Sequence, residues 1–142
     1  MSPLKEFEDD LAELRKYQPT ARRIFWTGAN PFVMSYENLA KRALLVHDYL
    51  LECQTIAMFS SIRDIKDKKV WQLRRLRALG INGLSIGTET GDDSTLLLAN
   101  KGYTAKELIE QCKNCLLYTS YFFTLLHFTV HLFNLDMIVH II

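Results

Sequence analysis

The amino-acid sequence predicts an α/β fold with parallel strands. Two observations carry that expectation. Segments with helical spacing of apolar residues alternate with short, continuously apolar runs, and each run opens into a loop rich in Gly, Ser, Thr and Asn. Alternation of this kind implies right-handed crossovers and parallel pairing. Continuously apolar runs are what strands buried on both faces require. The pattern fits a doubly wound sheet and a barrel equally well.

The elements follow in order. Leu4, Phe7, Leu11 and Leu14 recur at three and four residues and line one face of a first helix, with Ser2 as its N-cap and Pro3 at its first position. Pro19 marks the exit loop. Residues 23–27, RIFWT, read as a buried strand. Ser35 is the next N-cap, and Leu39, Ala43, Val46 and Leu50 mark a second amphipathic helix, a pattern that takes in Cys53. Residues 55–59, TIAMF, are a second strand, and 60–68 a polar connection. Val70, Leu73, Leu76 and Leu79 give a third helix closed by Gly80 at C′. Residues 83–87, GLSIG, are a third strand. Residues 89–93 form a polar loop and 94–99 a helical turn. Thr104 with Glu107 is a capping box for a further helix carrying Leu108, Ile109 and Cys112.

The 142 residues allow one domain at most. A formal net charge of +1 leaves no electrostatic footprint for nucleic acid or an anionic membrane. The opening residues carry acids early and lack an apolar run, so they are no secretory signal. Cysteines stand at Cys53, Cys112 and Cys115. An odd count without a signal argues for a reducing compartment, and hence a cytoplasmic protein, rather than a disulfide framework. Cys112 and Cys115 form a C-x-x-C without a second pair, which by itself marks no metal site.

Charge is distributed unevenly. All 17 Lys and Arg lie at or before Lys113, and residues 115–142 hold a single acid, Asp136. A globular domain rarely loses its charges so abruptly, because solvated faces need them. A membrane span would need roughly 20 consecutive apolar residues. His127, His131, Asn134, Asp136 and His140 interrupt this run, and no basic flank anchors it. The string CLLYTS at 115–120 is what one reading frame of a common transposase sequencing adapter encodes. The expectation is therefore a native segment over 1–114 and an apolar, non-native tail over 115–142, whose histidines carry no function.

In parallel α/β folds ligands bind at the carboxyl ends of the strands. Three loops qualify. In Thr27-Gly28-Ala29-Asn30-Pro31, Gly28 permits close backbone approach and Asn30 offers both donor and acceptor. In Ser60-Ser61-Ile62-Arg63-Asp64, two hydroxyls and a guanidinium suit a carboxylate or phosphate, although a capping Ser and a solvated Arg explain them as well. In Gly87-Thr88-Glu89-Thr90-Gly91-Asp92-Asp93, Glu89 suits ribose hydroxyls or an ammonium group, whereas Asp92 and Asp93 are expected to cap the next helix. Neither a Walker nor a dinucleotide fingerprint occurs.

These loops, in this order, resemble the middle of a radical S-adenosylmethionine (radical SAM) core. RIFWTGANPFVMSYENL looks like that family's second strand and following loop. LRALGINGLSIGTETGDDSTLLLANKGYTAKELIEQC is similar to its "aG…i.iGlEsGsd..L...nKG.t" pattern, shared by anaerobic coproporphyrinogen-oxidase-like proteins, methylthiotransferases and elongator-type acetyltransferases. The resemblance covers roughly residues 3–114. It implies an incomplete (βα)₆ partial barrel with parallel strands. It also implies a parent enzyme in which a [4Fe–4S] cluster cleaves SAM to a 5′-deoxyadenosyl radical that attacks a substrate the sequence does not name. Gly28 and Ala29 match the loop that contacts the methionine amino group, with Thr-Gly-Ala-Asn in place of the usual Gly-Gly-Glu-like triad. Ser60 or Ser61, Arg63 and Glu89 match further SAM contacts. The cluster motif C-x-x-x-C-x-x-C is absent from this sequence, so the resemblance implies a piece of a longer protein that begins after the cluster loop and is inactive alone. The alternative is a non-catalytic α/β module that binds a nucleotide-like ligand at Gly28 and Glu89, or an interaction domain.

Overall fold

The computed structural model describes residues 3–88, 90–118 and 121–125, with side chains as far as residue 114. Helix α1, Leu4–Tyr17, buries Phe7 and Leu11. Pro3 stands at its N-cap position without a side-chain cap, and the expected cap, Ser2, lies outside the described residues. Strand β1, Arg23–Trp26, leads through a 3₁₀ turn at Pro31–Val33 into α2, Tyr36–Tyr49. Ser35 caps α2, its hydroxyl accepting from the Asn38 N–H at 3.3 Å. Cys53 is not helical, contrary to expectation. The helix stops because Leu50 and Cys53 both turn into the core, and the Cys53 N–H donates to the Leu50 carbonyl at 3.0 Å.

Strand β2 is Thr55–Ser60. The connection after it holds a short helix, α3, Ile62–Lys66, where a polar loop was expected. The reason is legible afterwards. Ser61 and Asp64 form a reciprocal capping box, and Ile62 and Ile65 are buried at helical spacing. Helix α4, Val70–Ala78, ends at Gly80, whose φ of +87° makes it the left-handed C′ residue expected there. Strand β3, Ile81–Gly87, begins two residues before its glycine-rich part, with a register irregularity where Ile56 pairs Ile81 and Ala57 pairs Gly83. Helix α5 is Asp93–Leu98, α6 is Ala105–Tyr118, and β4 is Tyr121–Leu125.

The sheet order is β1-β2-β3-β4, every pair parallel. Space order thus equals chain order, with no reversal. A doubly wound sheet would reverse and carry helices on both faces. Here one core joins Phe7 and Leu11 of α1, Leu39, Ala43 and Val46 of α2, Leu73 and Leu76 of α4 and Leu108 of α6 to Ile56, Met58, Leu84 and Ile86 of the strands. Helices α1 to α4 and α6 therefore share one face of the sheet. The expectation of burial on both faces is corrected accordingly: on β2, Ile56, Met58 and Ser60 are buried while Phe59 is 41% exposed. Phe25 of β1, 45% exposed, meets Phe59 edge-to-face at 5.0 Å on the uncovered side.

Strand β4 comes from the segment expected to be non-native. It joins β3 from Gly83 opposite Tyr121 to Gly87 opposite Leu125. An apolar run beside an open sheet edge can pair through its backbone whatever its origin.

Candidate functional site

The carboxyl ends of β1, β2 and β3 open on one side of the sheet, and the loops there hold the expected site residues. Asp64 ties the first two loops together. Its Oδ2 accepts from Asn30 Nδ2 at 2.6 Å, from the Ser61 N–H at 3.0 Å and from the Ser61 hydroxyl. Asp64 is buried, so this carboxylate exchanges water for several donors at once. Lys68 closes the cluster from below. Its ammonium donates to the carbonyls of Phe32 at 2.7 Å and Asp64 at 3.3 Å, and stands 4.3 Å from the Phe32 ring centroid. Burial pushes its pKa down, against the opposing pull of Asp64 and Asp67.

This clamp fixes the Asn30 amide. With Nδ2 committed to Asp64, Oδ1 is the acceptor left over. It is buried without a hydrogen-bond partner. A buried carbonyl oxygen in that state is costly unless a donor reaches it. The Thr88 hydroxyl, just beyond β3, is in the same condition, on a residue only 2% exposed.

The other expected residues are placed one by one. Gly28 has φ +135°, backbone that a side chain would strain, and Gly28 and Ala29 are both exposed. Ser60 is buried on the helix-covered face and donates to the Ser61 carbonyl at 3.2 Å. Ser61 is the cap of α3. Arg63 is exposed, and its guanidinium lies against Gly102, where an added Cβ would collide with it. Glu89 lies outside the described residues. Asp92 caps α5, accepting from the Thr95 N–H at 2.8 Å and its hydroxyl at 2.7 Å, as expected of an acid at a helix start. The Ser94 and Thr95 donors hold its pKa down at about 2. Asp93 instead accepts from the Ala105 N–H at 2.6 Å, at the start of α6.

Two residues escaped the sequence reading. Asp64 was legible as the fourth residue of an S-x-x-D capping signature, but its role in holding Asn30 depends on a contact 34 residues away. Thr88 gave no signal, because a Thr at a strand end is ordinary.

Among the described residues, thiol ligands for a cluster are not assembled. Cys53 precedes β2, at the amino end of the sheet, and Cys112 lies on α6. Burial raises both thiol pKa values, which disfavours the thiolate a metal needs. Among the described residues no group of three His, Cys, Asp or Glu side chains is placed to hold a metal ion. The described residues do not fit a [4Fe–4S] cluster, and the Cys115 side chain lies outside them. No helix among the described residues is long and apolar enough to cross a membrane.

No protein-family model, curated protein or solved structure matches the chain.

Proposed function

We propose that the chain is a sector of a radical SAM-type (βα)₆ barrel and that it binds S-adenosylmethionine at the carboxyl ends of β1 to β3. The observation that carries this reading is the buried, partnerless Asn30 Oδ1, held by Asp64 at the strand end where such folds take ligands. The methionine ammonium of SAM is a donor of the kind that oxygen lacks. Gly28 and Ala29 lie immediately before it in an exposed loop that leaves room for close approach. A chain-order parallel sheet with its helices on one side supports a barrel sector over a doubly wound sheet.

The reading for this chain is binding, not bond cleavage. Reductive cleavage of SAM belongs to the cluster, and the sequence lacks the three-cysteine motif that would hold one. The test is isothermal titration of the full chain with SAM in the absence of iron. Saturable one-to-one binding is expected, weakened about tenfold or more in Asn30→Ala, since about 1.4 kcal/mol is tenfold and a hydrogen bond to a charged donor is of that size. Absence of binding at millimolar SAM, or equal affinity in Asn30→Ala, would overturn the proposal.

A further inference from the structure

The sequence from Lys68 to Thr88 contains five basic residues and no acid. Helix α4 lies at the centre of that stretch. Leu73 and Leu76 face the core, and directly opposite them run Trp71, Arg74, Arg75 and Ala78, spaced at i, i+3, i+4 and i+7. All four are exposed, Trp71 at 55%. Trp71 and Ala78 form the midline of this face, with Arg74 on one flank and Arg75 on the other. Arg74 also makes contacts within the fold.

Trp71 is not a loose surface ring. Tyr36 meets it edge-on at 5.1 Å, and Val70 beside it is 44% exposed. An aromatic side chain already held in one orientation loses little freedom when something packs on it. Trp and Arg are also the residues that most often anchor protein interfaces.

We infer that the outer face of α4 is a docking surface for a short acidic protein segment, with an apolar side chain seated on Trp71 and carboxylates reaching Arg74 and Arg75. Charge complementarity commits it to an anionic partner, and paired guanidinium forks suit carboxylates in two-bond geometry. The lane is short. Nine helical residues span about 13 Å. The helices on either side carry Glu37 and Asp48 on α2 and Glu107 and Glu110 on α6. A polynucleotide needs a positive groove that continues past one helix, and on both sides those acids, set among Lys41 of α2 and Lys106 and Lys113 of α6, interrupt it. A peptide that ends within two or three helical turns avoids them.

The experiment uses the full chain and a fluorescein-labelled five-residue peptide of Asp and Glu with one central Leu, followed by anisotropy and by Trp emission. Binding is expected with a blue shift. Arg75→Glu and Trp71→Ala should each weaken it about tenfold or more, while Lys16→Glu, an equal charge change on the exposed end of α1, leaves it within twofold. Arg75→Gln serves as the gentler variant should charge reversal perturb folding, and a threefold or greater loss is expected from it. The inference fails if the peptide does not bind, if Lys16→Glu weakens binding as much as Arg75→Glu, or if a dT12 oligonucleotide or phosphatidylserine vesicles bind more tightly than the peptide.

Discussion

Asp64 accepts from Asn30 and twice from Ser61 through one oxygen, so one side chain sets the geometry of two loops. Replacing it with Ala would strand three donors in a site with little water. The expected cost is about 1–3 kcal/mol in urea denaturation, the range for leaving buried polar groups unpaired. Asn30 would also lose its fixed orientation. Asp64→Ala should therefore weaken SAM binding beyond what the stability loss explains, measured well below the unfolding midpoint. Equal stability to the parent chain would mean that the cluster is solvated and that Asn30 Oδ1 is not held in place.

At the scale of elements, helix starts carry the polar work. Thr104 and Glu107 form the capping box of α6, the Thr104 N–H donating to Glu107 Oε2 at 3.0 Å and the Glu107 N–H to the Thr104 hydroxyl at 3.2 Å. Glu107 also accepts from Lys66 of α3, which joins the two helices. The Lys66 ammonium first, and then the Thr104 N–H, hold the Glu107 pKa down at about 2, from an ordinary value of 4.5. A depressed carboxylate pKa stabilises the fold fully above the unfolded value and loses that contribution as pH falls through the folded one. Thermal melts should show stability dropping between pH 4.5 and pH 2, and Glu107→Gln should flatten the drop; an unchanged pH profile would dismiss the link. These caps are plain in the sequence, as are Ser35, Gly80 and strands β1, β2 and β3, because each rests on residues three or four apart or on one apolar run. What was not plain rests on distance. The α3 turn looks like a polar loop in the sequence because its two buried isoleucines are too few to set a period. The Asn30–Asp64 clamp spans two loops. Burial on one face only was hidden because Phe25 and Phe59, although exposed, are as apolar as Met58.

The whole molecule is a sheet with one finished face. Met58 and Phe59 are neighbours in β2, yet Met58 is fully buried and Phe59 41% exposed. Met58→Ala should cost about 2–5 kcal/mol, the range for emptying a core site. Phe59→Ser should cost about 1 kcal/mol or less and reduce binding of a hydrophobic dye, since it removes exposed apolar surface. Similar losses at the two positions would mean that the second face is covered in solution. The strand order has a different consequence, in time rather than space. Each strand pairs with the one made just before it, so no strand has to wait for a distant partner to leave the ribosome. The sheet can be laid down in the order of its synthesis, each strand arriving behind one or two helices and pairing with the edge left by the strand before it.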